Sequence, residues 1–177
     1  MSHRFWEIYD EYIHRDGADK LKNWLLSTDW ETSPASTRFH ESYAGGLMDH
    51  SVYVWDELIR LLKAFPEVKV TAETAAICAL LHDVCKANTY GQEMRNKKDE
   101  NGRWIQVPIY THNEAFVIGG HGSKSVYLIQ KFMPLTDAEA VAINCHMADN
   151  TAYFDAYRQY PLAFLLHTAD MASTINF

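Results

Sequence analysis

A chain of 177 residues, 47% hydrophobic and 22% charged, has the size and composition of one ordinary soluble domain, which excludes the disordered and fibrous classes. Its formal net charge of −7 argues against a broad polynucleotide-binding surface, which works by neutralising phosphates, yet leaves room for a small anionic substrate if a metal or a local basic cluster offsets the acidity. The apolar runs 75–81 and 161–166 fall far short of the roughly 18 residues a membrane span needs, and Cys78, Cys85 and Cys145 lack paired spacing and a secretory leader, so they read as reduced thiols of a cytoplasmic protein.

Apolar residues recur at helical spacing through residues 4–26 with a break at Asp16-Gly17, which predicts two helices joined by a tight turn. Residues 28–42 carry Ser, Thr and Pro and predict a loop, closed by Gly45-Gly46. A third helix is expected over about 47–64, ended by Pro66. Thr71, followed by Glu73 and Thr74, offers an N-cap for a fourth that carries the nearly all-apolar segment 75–86, a central buried helix. Residues 88–113 change character: the Asn101-Gly102 turn signal and the β-prone run Trp104-Ile105-Gln106-Val107 predict a hairpin inserted between helices. Helical periodicity returns over 122–132 and 136–147, separated by Pro134 and Thr136. It returns again over 161–174, where Pro161 suits a first helical position. The expected architecture is an all-α single domain over 1–177, a helical bundle with a small inserted β-hairpin and no internal repeat or linker.

His82-Asp83 follows the apolar run Ala79-Leu80-Leu81. Such a dipeptide is commonplace in a chain with 9 histidines; its apolar setting is not. Burying an imidazole and a carboxylate there costs several kcal/mol unless something pairs with both, and a divalent cation does so. Adjacent helical residues diverge by about 100°, so His82 can bind one ion while Asp83 reaches the same ion or bridges to a second. His50 starts a helix directly after Gly45-Gly46, and Asp170 is set in the apolar text LLHTAD (165–170). His121 follows Gly119-Gly120, and His146 ends a predicted helix. Imidazole with carboxylate suits Mn, Fe, Co, Ni or Zn better than Ca or Mg.

Several residues stay open to two readings at this point. His121 and His146 either contact a second metal or phosphate, or hydrogen-bond a helix end. His40, in the loop before His50, either touches substrate or lies at the surface. Arg95, Lys97, Lys98 and Arg103 gather on the hairpin. They form either a solvated turn or the cationic face of a lid folded over the site, with Arg95 and Arg103 as candidate substrate contacts. Lys124, one turn after His121, is the stronger phosphate candidate. His167 reads as a core residue; His3, His14 and His112 read as surface positions.

The segments FHESYAGGLMDHS (39–51) and LLHDVCK (80–86) resemble the "GGLLEH" opening and the "LLHDIGK" signature of HD-superfamily hydrolases. GHGSKS (120–125) and AINCHM (142–147) resemble the "GHG-x-KS" and "AI-x-x-HM" segments of one uncharacterised branch. The resemblance spans about residues 39–172 and, as an ordered set, is specific for the superfamily but not for a substrate. It implies His50, His82, Asp83 and Asp170 as primary metal ligands, and His121 and His146 as ligands of a second metal in dinuclear members. It also places Lys86 near substrate phosphate. Cys85 stands where the signature has glycine, a replacement that a helix tolerates well.

The implied activity is that of a metal-dependent phosphohydrolase: hydrolysis of a small phosphate ester or anhydride, with a nucleotide as the expected substrate, by water activated on one or two divalent transition ions. Asp83, Lys86 and Lys124 take the catalytic roles. Two rival readings come from other classes. An HD-type 3′-exonuclease or phosphodiesterase shares the opening motif but pairs it with a separate nucleic-acid-binding domain, for which this chain has no room. A non-catalytic nucleotide-sensing module would not need all four ligand positions intact.

Overall fold

A helix that is apolar on every side is stable in water only when other elements enclose it. Ala75, Ala76, Ile77, Cys78, Ala79, Leu80 and Leu81 make such a helix, and all are at most 1% exposed. The computed structural model describes residues 2–113, 116–147 and 153–175. Its elements are, in order, α1 (Ser2–Tyr12), α2 (Ala18–Leu26), α3 (Gly46–Ala64), α4 (Ala72–Leu81), a one-turn 3₁₀ helix (Val84–Lys86), β1 (Tyr90–Lys98), β2 (Trp104–His112), α5 (His121–Gln130), α6 (Asp137–Cys145), α7 (Phe154–Gln159) and α8 (Pro161–Ser173). The described chain is therefore mostly helical with one two-stranded antiparallel sheet.

The apolar helix α4 packs against α1, α3 and α6, while α8 lies across α3 and α6, and α5 rests on α6 and the 3₁₀ turn. Phe5, Tyr9, Leu21, Leu25, Trp30, Leu47, Met48 and Leu58 belong to the same core as α4, with Ile129, Ile143 and Leu166 from later helices. The starts of α4 and α6 are set by their caps. Thr71 Oγ1 accepts from the Thr74 N–H, and Thr136 exchanges hydrogen bonds with Glu139 in a full capping box. Arg15, in the turn between α1 and α2, reaches across to both Glu139 and Glu73. One guanidinium thereby ties the N-terminal helix pair to α4 and α6.

Three expectations need correction. The segment 75–86 is not one helix: α4 ends at Leu81, and Asp83 (φ −105, ψ 20) breaks the helical path before the 3₁₀ turn. Residues 28–42 do form a loop, but an inward one, with Trp30, Ser33 and Ala35 at most 2% exposed. The helix α7 was not expected; it buries none of its residues, so no apolar stripe announces it.

The inserted hairpin is present, with Tyr90 opposite His112 at its base and Lys98 opposite Trp104 at its tip. Only the base is docked: the Tyr90 hydroxyl donates to the Ala35 carbonyl at 3.2 Å. Residues 92–98 and 100–106 are exposed on both strands, so the hairpin stands open and is not folded over as a lid. Among the described residues no helix is long and apolar enough to cross a membrane.

Candidate metal centre

Gly45 (φ 85) adopts the left-handed conformation that glycine takes without strain, and a Cβ on Gly46 would come within 2.0 Å of the Glu41 carbonyl oxygen. These two glycines let the inward loop close on the first turns of α3, where His50 is 1% exposed. The last helix supplies Asp170. Its Ser173 Oγ donates to the Asp170 carbonyl at 2.7 Å, so the oxygen has lone pairs left for His50 Nδ1, 3.3 Å away. That arrangement places the His50 ring proton on Nδ1 and a lone pair on Nε2.

His82 and His146 are held in the same way by helix ends. The last carbonyls of a helix lack intrahelical partners, and each histidine takes one. His82 Nδ1 donates to the Ala79 carbonyl at 2.9 Å, and His146 Nδ1 donates to the Ile143 carbonyl at 2.7 Å. Both rings therefore turn an Nε2 lone pair inward. His167 adds support, its Nδ1 donating to the His146 carbonyl at 2.7 Å; the residue is half-buried rather than in the core.

The inward atoms converge. His50 Nε2 lies 3.2 Å from His82 Nε2 and 3.1 Å from Asp170 Oδ1, and His82 Nε2 lies 3.3 Å from Asp83 Oδ2. An ion bound at about 2.0–2.2 Å holds neighbouring ligand atoms roughly 2.8–3.6 Å apart, so these spacings suit one. His146 Nε2 is 3.5 Å from Asp83 Oδ1 and has no hydrogen-bond partner although it is buried. Lone pairs facing one another and facing carboxylates repel without a cation between them. The buried His/Asp cluster can thus hold a metal ion.

Lys86 supplies a fixed positive charge at its edge. Its ammonium is 2.6 Å from Asp83 Oδ2 and donates to the Ala35 carbonyl at 2.8 Å. Burial pushes the Asp83 pKa up, but the Lys86 ammonium beside it outweighs that and holds the carboxyl well below the usual range. Burial also pulls Lys86 down, and Asp83 more than reverses that, so the lysine stays charged. The Lys86 ammonium, expected near substrate phosphate, is engaged by Asp83 and the Ala35 carbonyl.

Asp83 divides the site. Its Oδ2 faces His50, His82 and Lys86, and its Oδ1 faces His146 and the Cys85 sulfur, 3.9 Å away. Cys85 Sγ lies 3.5 Å from His121 Nδ1. Of the two histidines that the resemblance pairs, His146 groups with His82 and Asp170 and His121 with Asp83 and Cys85, while His146 Nε2 also lies 3.5 Å from Asp83 Oδ1. Burial, then Asp83, pushes the Cys85 thiol up to about 12. Lys124 is buried and lines a small cavity of about 70 Å³ with Gly119, Gly120 and His121.

His40 belongs to the site and not to the surface. Its ring centroid is 4.9 Å from that of His50, its Nε2 is buried without a hydrogen-bond partner, and burial lowers its pKa to about 4. Arg95 lies in a surface groove of about 320 Å³ with Thr37, Arg38 and Tyr110. Arg103 sits beside the hairpin turn, some 27 Å along the ladder from Tyr90 at ~3.4 Å per residue, and is not brought to the cluster. Sequence reasoning missed Glu41, whose Oε2 is buried 3.9 Å from His50 Nδ1, and Ser173. It also missed Cys85 as a donor. Only the two-residue spacing from Asp83 signalled it, and His121 is 36 positions away.

Comparison of the chain with protein-family models, with curated proteins and with solved structures finds no match.

Proposed function

We propose that this protein is a metal-dependent phosphohydrolase acting on a small phosphate ester, with a nucleotide as the substrate class. The observation that carries the reading is the convergence of the His50, His82 and His146 Nε2 atoms on the Asp83 and Asp170 carboxylates, with the His146 nitrogen left unpartnered. The resemblance of the two motifs to HD-superfamily hydrolases supports the same chemistry. When bound, a divalent transition ion supplies Lewis acidity, which activates water and neutralises charge on a phosphoryl group.

The chain's own residues prepare for that. Lys86 keeps Asp83 ionised, so the carboxylate is ready without losing a proton first. The carbonyls of Ala79 and Ile143 fix two imidazoles in the ligating tautomer. His40, held neutral by burial, offers an unpaired Nε2 at the edge of the cluster for a hydrogen bond to substrate. Lys124, beside the small cavity at His121, would steady a phosphate oxygen, and Arg38 and Arg95 flank a surface groove. These cations oppose a net charge of −7 where an anion must enter.

Protein purified without chelator and without exposure to a nickel column is expected to carry close to one or two equivalents of transition metal. Elemental analysis checks this, and a metal-free result from folded protein would end the proposal. The same protein, loaded separately with Mn, Fe, Co, Ni and Zn, is then expected to release phosphate from nucleotides in a panel of phosphate esters.

The hairpin can be tested separately, since its outer part touches little else. Replacing residues 93–109 by a two-residue turn keeps the Tyr90 and His112 base pair and is expected to leave metal content and helical circular dichroism unchanged. KM is expected to rise severalfold, most for the more highly charged phosphates, because removing Arg95 takes a cation from the groove it shares with Arg38 and so weakens substrate binding more than the reaction step. Unchanged KM across the panel would assign phosphate recognition to the cluster's own cations.

A further inference from the structure

We propose that Cys85, Asp83 and His121 form a second cation subsite whose third ligand is a thiolate, beside the His50, His82 and Asp170 cluster and sharing Asp83 with it. This rests on reading that cluster as a metal centre, and it assigns the second ion a sulfur donor, Cys85, that the motifs did not indicate.

The geometry is that of a chelate. Tetrahedral coordination with Zn–S near 2.3 Å and Zn–N near 2.1 Å puts sulfur and nitrogen about 3.6 Å apart; Cys85 Sγ and His121 Nδ1 are separated by 3.5 Å, and Sγ and Asp83 Oδ1 by 3.9 Å. All the donor atoms of this trio lie within 4.8 Å of one another. Asp83 turns Oδ1 toward Cys85 and His146 and Oδ2 toward His50 and His82, so one carboxylate can bridge both. A buried cysteine is ordinarily a small apolar filler, but here the sulfur is approached by an imidazole nitrogen and a carboxylate oxygen at ligand spacing.

The backbone is built to hold the sulfur in place. The Cys85 N–H donates to Ser125 Oγ at 3.1 Å. Ser125 is one turn after His121 on the same face of α5, so a single helix face fixes the Cys85 backbone and presents the imidazole to its side chain. That helix sits close because residue 122 is glycine: a Cβ there would lie 2.3 Å from the Asn144 carbonyl oxygen on α6. Three protein ligands leave a coordination position open, and the cavity of about 70 Å³ lined by Gly119, Gly120, His121 and Lys124 offers room for it. Thiolate and imidazole together select Zn²⁺, Co²⁺ or Fe²⁺ over Mn²⁺ and Mg²⁺. On binding, the thiol proton passes to solvent and sulfur donates its lone pair to the ion.

The test uses the full chain, stripped with a chelator and titrated with Co²⁺ while absorption is followed. Wild type is expected to bind two equivalents, one of which produces a near-ultraviolet sulfur-to-cobalt charge-transfer band. Cys85→Ser is expected to abolish that band and weaken one equivalent by at least 100-fold, leaving the visible ligand-field bands of the other. Cys78→Ser and Cys145→Ser should keep the band. His121→Ala provides an independent arm and should lose the same equivalent; it serves alone if Cys85→Ser fails to fold. A band that survives in Cys85→Ser, or two equivalents bound by wild type without one, overturns the thiolate assignment. One equivalent bound identically by wild type, Cys85→Ser and His121→Ala overturns the second subsite while leaving the first centre standing. No binding at all by folded protein overturns the metal centre and this subsite together.

Discussion

Asp83→Asn is expected to remove tight metal binding and to lower kcat/KM by on the order of 10³-fold or more, ~4 kcal/mol of barrier. The substitution keeps the size of the side chain but deletes the charge that both sides of the site share. It also leaves the Lys86 ammonium buried without its carboxylate partner, and breaking a buried pair from one side costs about 3–5 kcal/mol. Stability and activity must therefore be read separately. Adding Lys86→Met should restore most of the stability in urea denaturation of metal-free protein, because it removes the orphaned charge, while metal binding and turnover stay lost. Turnover retained by folded Asp83→Asn would sink the assignment of this carboxylate to the reaction centre.

The second large effect is expected far from that centre. Glu139 is fully buried and accepts hydrogen bonds from Arg15, from Thr74 Oγ1 at 2.9 Å and from the Thr136 N–H at 2.8 Å. Glu139→Gln leaves the Arg15 guanidinium, only 17% exposed, without its main counter-charge, and is expected to cost about 3 kcal/mol or more. Arg15→Met should cost a similar amount, and the double variant much less than the sum. Burial raises the Glu139 pKa, while the Arg15 hydrogen bond, followed by the Thr136 and Thr74 bonds, lowers it further, leaving it below its ordinary value. A depressed carboxyl stabilises the fold above its unfolded pKa of about 4.3 and loses that contribution as pH falls through the folded value. Wild type should accordingly lose more stability than Glu139→Gln on acidification below about pH 4.3. Equal slopes of unfolding free energy against pH would show that the ion pair contributes nothing.

Some of this was legible in the chain and some was not, for reasons that differ by residue. The helix through 75–81 and the hairpin around Asn101-Gly102 were legible because apolar periodicity and turn chemistry are local signals. His82-Asp83 stood out because polar groups rarely sit in such apolar text without a partner. The end of α4 at Leu81 was hidden because Val84 and Cys85 are as buried as the helix before them, so the apolar pattern runs on where the backbone changes. The inward turn of residues 28–42 was hidden for another reason: Ala35 contributes a carbonyl, to Lys86 and Tyr90, and a carbonyl leaves no mark on residue type. Arg15 with Glu139, and Cys85 with His121, are pairs made by the tertiary fold across 124 and 36 positions.

Consider finally where the cluster's donors come from. His50 is on α3, His82 and Asp83 follow α4, His146 caps α6, and Asp170 is on α8, the last helix described. No subset of helices short of α8 contains the whole cluster, so a partly folded chain has no complete trap for an ion. The donor set is complete only when α8 is docked on α3 and α6, whatever the order in which the helices fold. Opening of α8 alone would strip Asp170 from a bound ion and weaken its hold without unfolding the rest. Residence time at the site is in this sense a property of helix docking as much as of the ligand set.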